Sequence, residues 1–217
     1  MCGQVARGIF VTPIPGAPFS GTVRVERTVI QPNGTVLQLF GTHAIARDID
    51  GRIRYASRPL APASVTTLPP VMVVHLYDPQ NRMNEYLYPQ QKLYRMNMLN
   101  RPPATDTIED FASPSAASQP LSQYAQQQDL GQKTMAGLPV HGVRVTQTLP
   151  PAVSGTNAEV VVTDEYWYSD DLRMNLAVRH VDPRTGSFAA TVTAVNRTEP
   201  DADLFSVPAD YRMAGLR

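Results

Sequence analysis

The most constraining feature of this 217-residue chain is a two-residue alternation of apolar and polar side chains that recurs along most of its length. In the first such segment Val23, Val25 and Val29 share one face. Successive side chains of a β-strand point to opposite sides of the sheet, so this period indicates strands with one buried face. The dipeptide Asn33-Gly34 follows, which is typical of a tight hairpin turn. The pattern predicts an all-β chain.

Turn sequences separate roughly ten alternating segments, which predicts consecutive hairpins and therefore an antiparallel meander. Residues 48–51 and 182–186 are two of these turns. Residues 71–77 are apolar on both faces, as expected of a central strand covered on two sides. A sheet with this many strands curls or closes. We therefore expect one strongly curved sheet with at most one or two short helices, one of them around residues 121–128.

The 20 prolines must lie in loops, edges and tails, because proline is excluded from helix interiors and central strands. Residues 1–18 contain several of them and are predicted to form a flexible N-terminal tail. Residues 101–128 are dominated by Pro, Ala, Ser and Gln, which predicts a polar low-complexity loop. Neither half beside this loop shows a core of its own, so residues 19–213 are predicted to form a single domain.

The single cysteine, Cys2, excludes a disulfide within the chain. Its position has two interpretations. Bacterial lipoproteins begin with a lipidated cysteine and a flexible tether, whereas an expression artefact or a misassigned start would leave the thiol without a role. No run of about 18 apolar residues is present, so the chain is not predicted to span a membrane.

Charge and motifs argue against several classes of function. Lysine and arginine total 19, as do aspartate and glutamate, so a nucleic-acid partner is not expected. No glycine-rich phosphate loop opens a helix, and no Gly-x-Ser-x-Gly elbow is present. We expect no cofactor and assign no catalytic residue.

Metal and acid–base chemistry have weak support. No two histidines have the spacing of metal ligands, so we interpret them as hydrogen-bonded structural residues and assign no metal site. A site assembled from distant strands stays an alternative. The carboxylates at Asp164-Glu165 and Asp170-Asp171 do not predict a facing acid pair, and the second pair is interpreted as a turn. The histidines are His43, His75, His141 and His180.

Aromatic and methionine side chains are the stronger functional signal. Tyrosine and tryptophan offer an apolar body with a polar tip, and methionine adapts to irregular ligands. Ordinary core packing is one interpretation, and an apolar cleft on the concave side of the curved sheet is the other. The residues that we expect to line such a cleft are Tyr77, Tyr86, Tyr94, Met96, Trp167 and Met174.

Several segments resemble a family of uncharacterised secreted bacterial proteins that are common in acidobacteria and whose half-barrel fold is similar to that of the LolA/LolB lipoprotein carriers. These segments are residues 41–54, residues 76–88 with an Asp-Pro turn, residues 130–142, and the closing stretch with Phe205 and Val207-Pro208. The resemblance covers residues 18–213. It implies a LolA-like half-barrel, a periplasmic or extracellular location with a lipid anchor if Cys2 is lipidated, and no catalytic residue.

Three functions follow as hypotheses. The first is a non-enzymatic envelope protein that binds a lipid or another apolar small molecule on the concave face. The second is a structural or assembly module with an envelope protein as its partner, and the third is a metal-dependent enzyme that uses the histidines. The chain departs from the carriers in that their lid helices have no counterpart that we can place and residues 101–128 are polar.

Overall fold

The computed structural model describes residues 8–99 and 122–214. This part of the chain is nearly all β-structure, as predicted, with one single-turn helix, α1 (Pro151–Ser154), and a 3-10 helix (Ala202–Phe205). No helix within it is long and apolar enough to cross a bilayer. The strands are β1 (Phe19–Ile30), β2 (Val36–Arg47), β3 (Ile53–Ser57), β4 (Ala61–Pro62), β5 (Val73–Asp78), β6 (Met83–Tyr88), β7 (Leu93–Met98), β8 (Ala125–Met135), β9 (Leu138–Leu149), β10 (Val160–Ser169), β11 (Met174–Asp182), β12 (Gly186–Asn196) and β13 (Arg212–Met213).

All these strands belong to one open, curved sheet in the order β13-β7-β6-β5-β3-β2-β1-β12-β11-β10-β9-β8, with the short β4 paired to β2. Two meanders meet at its centre. One runs outward from β1 to β7, and the other runs inward from β8 to β12, where β12 pairs with β1. Every pairing is antiparallel except that of β13 with β7. The predicted curved antiparallel meander is confirmed.

Strand register divides the sheet into two faces, because residues directly opposite each other point the same way. On β1, Val25 lies opposite Gly41 of β2 and Ala190 of β12. We call this side the Val25 face. The residue after Val25, Glu26, lies opposite Phe40 and Ala189 on the other side of the sheet, which we call the Glu26 face.

The main core lies mostly on the Val25 face and extends from β3 to β9. It includes Phe19, Val23 and Ile45, none of which is more than 2% exposed. Bulges in the β1–β12 and β10–β11 pairings bend the strands around it. The other members are Ile9, Val11, Val25, Ile53, Leu138, Val140, Leu172, Met174, Leu176, Val178, Ala190 and Val192.

The N-terminal segment corrects one prediction. Residues 1–18 were expected to form a flexible tail, but Ile9, Val11 and Ile14 are buried, and the first two belong to the main core. Residues 1–7 lie outside the described part of the chain. The packing has a polar component as well, since the Thr12 hydroxyl donates to the carbonyl of Arg173 at 2.7 Å.

A second, smaller core lies on the Glu26 face. Ala56, Val74, Leu76 and Leu87 form it, and Val71, Tyr94, Val207 and Tyr211 pack against it. The C-terminal segment therefore covers this side of β3, β5 and β6. This face of β5 is buried as a result, whereas His75 and Tyr77 on its other face are half-buried, so the prediction of a strand covered on two sides is met only in part.

The loop predicted over residues 101–128 ends earlier than expected. Residues 101–121 lie outside the described part, but Ala125 begins β8. The helical turn expected around residues 121–128 is wrong for the same reason. Among the described strands β8 pairs only with β9 and is the last strand at this end of the sheet. An edge strand tolerates the polar residues that suggested a loop.

Candidate ligand-binding face

A band of half-buried aromatic side chains crosses the Val25 face. Tyr55 of β3 lies opposite His75 of β5, which lies opposite Tyr86 of β6. On the far side of the central strands, Phe188 of β12 lies opposite Arg27 of β1 and His180 of β11. The half-buried aromatic residues of the band are Tyr55, Tyr77, Tyr86, Tyr166 and Phe188.

Local contacts fix the orientation of Tyr86. Its ring stacks on the imidazole of His75, with a centroid separation of 4.7 Å and an interplanar angle of 14°. The Nε2 of His75 is 2.7 Å from Oδ1 of Asn84, which lies two residues before Tyr86 on the same face. The stack presents one flat aromatic surface built from two strands.

The central part of the band is kept uncharged. The Tyr55 hydroxyl and Nδ1 of His43 are 2.7 Å apart. Burial raises the pKa of Tyr55 to about 12 and lowers the pKa of His43 from its ordinary value. Both shifts have the same physical cause, since a low-dielectric surrounding disfavours the charged form. Near neutral pH this region is an apolar surface with a few hydrogen-bonding tips.

The part of the band on β10–β12 contains a buried polar pair. Nδ1 of His180 is 2.7 Å from Oδ1 of Asp164, and Tyr166 follows two residues later on the same strand. Burial, and to a lesser degree the charge of Asp164, raise the pKa of Tyr166 to about 12. A cavity of about 200 Å³ opens beside this pair at the β11–β12 turn, and Arg27, His180 and Phe188 line it.

The structure divides the six residues that were expected to line one cleft. Tyr77 and Tyr86 lie on the Val25 face within the aromatic band. Tyr94 and Met96 lie on the Glu26 face, because they are opposite Leu87 and Glu85, which flank Tyr86. Met174 is fully buried in the main core. The sixth, Trp167, is described next, and Cys2 lies outside the described residues.

Trp167 is held by its neighbours on β8–β10. Its Nε1 donates to Glu165 at 2.7 Å, and the Lys133 ammonium lies 3.4 Å from its ring centroid. Gly142 of β9 faces it so closely that a Cβ there would lie 2.5 Å from the ring. Burial disfavours the Glu165 carboxylate, but hydrogen bonds from Trp167 and Arg144 outweigh burial and lower its pKa. The indole thus serves as an anchor between strands.

The histidines and adjacent carboxylates do not converge. His75 binds Asn84, His141 binds Asp129, and Asp164 and Glu165 point to opposite faces of β10. Within residues 8–99 and 122–214 no three metal-ligating side chains cluster.

Sequence reasoning missed Arg27 and Phe188 as members of a site and considered His180 only as a possible metal ligand. Nothing in the local pattern indicated that β12, which carries Phe188, pairs with β1. Extending the two-residue period from Val25 to Arg27 would have put this arginine on the apolar face, which is the signal that was available.

Comparison with known proteins gives similarity only at the level of structure. No family model matches the chain, and no curated protein sequence matches it. A structure of the Pseudomonas aeruginosa MucA/MucB complex is similar, with 17% identity, coverage of 92% of this chain and 58% of that chain, and a TM-score of 0.48. The chain thus spans less than two thirds of the MucB structures that it matches.

Two other solved structures match over most of their length. The LolA superfamily protein NE2245 from Nitrosomonas europaea has 10% identity, coverage of 90% of this chain and 92% of that chain, and a TM-score of 0.35. The Mycobacterium tuberculosis lipoprotein LppX has 13% identity, coverage of 83% and 88%, and a TM-score of 0.29. The structures similar to this chain thus include a member of the LolA superfamily and a mycobacterial lipoprotein, each with a TM-score below 0.5.

Proposed function

We propose that this chain is a non-enzymatic protein of the bacterial cell envelope that binds a lipid or another apolar ligand on the Val25 face. The observation that carries the proposal is the band of half-buried aromatic side chains on that face. These rings come from five strands of the sheet, which is more than the packing of a single hairpin requires. A periplasmic or extracellular location, with Cys2 as a lipid anchor, belongs to the same proposal.

The physics of binding is the burial of apolar surface. An acyl chain that covers the exposed parts of the band gains about 25 cal/mol for each Å² of apolar area removed from water. Burial raises the pKa of Tyr55 and lowers that of His43, so both stay neutral near pH 7 and no charge has to be desolvated in the central part. Tyrosines also hold a ligand with little loss of side-chain entropy, because each has only two rotatable angles.

The direct test is native mass spectrometry and lipid extraction of protein purified without detergent, followed by titration with a fluorescent fatty acid. We expect a bound lipid or saturable binding. Tyr86→Ala should weaken the binding several-fold. Tyr94→Ala is the matched control, since Tyr94 is also half-buried and comes from the adjacent strand but lies on the other face. Absence of any ligand in both experiments would overturn the proposal.

A second function, assembly through the sheet, has one specific observation in its favour. Four methionines lie together on the Glu26 face of β6, β7 and β13, where Met83 is opposite Met98. Met98 is 67% exposed and Met213 is 55% exposed. The remaining member is Met96. An exposed apolar patch beside an edge strand is typical of an interface.

This alternative predicts that copies of the chain associate through the methionine patch. Light scattering over a hundredfold range of concentration should then show a growing mass. The double variant Met96→Gln/Met98→Gln should abolish that growth and leave ligand binding unchanged. A monomer at every concentration would remove support for self-assembly.

A further inference from the structure

A polar corner on the Val25 face lies at the β11–β12 turn and consists of Arg27, His180 and Asp164. Arg27, Phe188, His180 and Asp164 follow one another on β1, β12, β11 and β10, each directly opposite the next. Phe188 therefore lies between the arginine and the histidine. The cavity of about 200 Å³ that the first three of these residues line is closed at its end by the turn residues Thr185 and Gly186.

Asp164 fixes the orientation of His180, and one nitrogen of the imidazole ring has no partner among the described residues. Asp164 binds its Nδ1, and the two side chains are only 15% and 21% exposed. Its Nε2 is buried and has no hydrogen-bond partner among the described residues. His180 also lines the cavity, so the ring with this unpartnered nitrogen forms part of the cavity wall. A protonated imidazole donates from both nitrogens, so Nε2 can donate to a ligand while Nδ1 donates to Asp164.

Arg27 differs from the arginines that are held by a carboxylate. Arg24, Arg144 and Arg184 are paired with Glu26, Glu165 and Asp182. Arg27 is exposed and has no ion pair or side-chain hydrogen bond with any residue in the described ranges. A cation at the rim of an apolar face, without a carboxylate of its own, is available to a ligand.

We propose that this corner binds the anionic head of an amphipathic ligand, with the head's oxygens held by Arg27 and by Nε2 of His180. The charge of the ligand then pairs with Arg27, while Asp164 stays bound to Nδ1 of His180. Asp182, the other carboxylate near His180, is already paired with Arg184. Phe188 contacts the first carbons of the chain, and the aromatic band receives the remainder.

This inference rests on the proposed function, since the band has to hold the tail. The chemistry at the corner fits a singly charged group of oxygens, which three sources supply. These are the carboxylate of a fatty acid, the phosphate of a lysophospholipid, and free inorganic phosphate. A fatty alcohol of the same chain length lacks the charge and measures the contribution of the tail alone.

The experiment compares these four probes by calorimetry on the full chain and on two variants, Arg27→Gln and His180→Phe. The fatty acid and the lysophospholipid, each with an anionic head, should bind the wild type at least tenfold more tightly than the alcohol does, as expected for hydrogen bonds to a charged group. Both variants should bind acid and alcohol with equal affinity. Arg24→Gln is the matched control, because it removes an arginine from the opposite face of the same strand and should preserve the tenfold difference.

The outcomes separate the head from the tail. Equal affinity of the wild type for acid and alcohol overturns the anion site but leaves the lipid-binding function intact. No binding of either overturns that function as well. Binding of inorganic phosphate with the affinity of the lysophospholipid overturns the amphipathic ligand in favour of a free anion. If His180→Phe does not fold, Arg27→Gln still decides, since this side chain is exposed.

Discussion

The guanidinium of Arg47 lies over the ring of Phe19, with its central carbon 5.2 Å from the ring centroid. Arg47 is fully buried, and no carboxylate pairs with it among the described residues. Its Nε donates to the carbonyl of Ala17 at 2.8 Å and its Nη1 to that of Thr12 at 2.7 Å. The side chain therefore fastens the N-terminal segment to the end of β2.

We expect that Arg47→Lys destabilises the protein more than Arg47→Met does. Lysine keeps a buried charge but lacks the planar fork that reaches both carbonyls, and its ammonium is more strongly hydrated. Methionine removes the charge and leaves two carbonyls without donors, a loss of about 2–4 kcal/mol. Urea unfolding of the three proteins measures the order. A lysine variant as stable as the wild type would contradict this account.

The N-terminal segment can be tested with adjacent residues. Val11→Ala should lower the free energy of unfolding by about 1–3 kcal/mol, because Val11 is 2% exposed within the main core. Phe10→Ala removes a larger side chain but should change stability by less than about 0.5 kcal/mol, since Phe10 is 55% exposed. Equal changes in the free energy of unfolding for the two substitutions would contradict the packing of the N-terminal segment against the main core.

The close approach of the Trp167 indole leaves no room for a side chain at position 142, which is glycine. Gly142→Ala should destabilise by about 1–3 kcal/mol, because the new methyl group collides with Trp167. In a Trp167→Leu background the same change should have much less effect. Denaturant unfolding of the four proteins in this double-mutant cycle gives the coupling energy. A coupling near zero would show that the contact does not set the requirement for glycine.

Stability should fall at alkaline pH. The folded state holds the protons of Tyr55 and Tyr166 up to a pKa of about 12, whereas an unfolded tyrosine ionises near pH 10. The stabilisation from each is complete below pH 10 and is lost as the pH rises through 12, on the order of 2 kcal/mol for Tyr55 and less for Tyr166, which solvent screens more. Burial lowers the pKa of Arg47 to about 10, which gives the opposite slope over the same range.

Tyr55→Phe isolates the tyrosine contribution, since Arg47 is unchanged. The difference in free energy of unfolding between this variant and the wild type should shift in favour of the variant between pH 10 and 12. Urea melts at several pH values measure it, and phenolate absorbance reports the delayed ionisation. A pH-independent difference would show that Tyr55 ionises normally in the folded protein.

Much of the fold could be predicted because strand period and turn sequences are local. The hairpin after β1 follows from residues within a few positions of each other. The N-terminal segment could not be predicted in this way. Its partner, Arg47, lies some thirty positions further along the chain, and its prolines are equally typical of a tail.

The candidate site was predicted only in part, because side-chain direction depends on register across turns. Tyr86 and Tyr94 are separated by a turn at residues 89–92, and they lie on opposite faces. A change of one residue in such a turn moves every later side chain to the other side. Composition indicated that aromatic and methionine residues could line a site. It could not show which of them lie on the Val25 face and which on the Glu26 face.

The pairing of β1 with β12 has a consequence for the time course of folding. Strand β1 ends at Ile30 and β12 begins at Gly186, so on the ribosome the central strand is finished long before its second partner exists. Until then one edge of β1 stays unpaired and its valines stay exposed to water. Contacts between such distant segments form slowly, because the loop between them must first be closed. A nascent chain of this design is vulnerable to aggregation until its last strands arrive, so we expect it to depend on chaperones during synthesis or export.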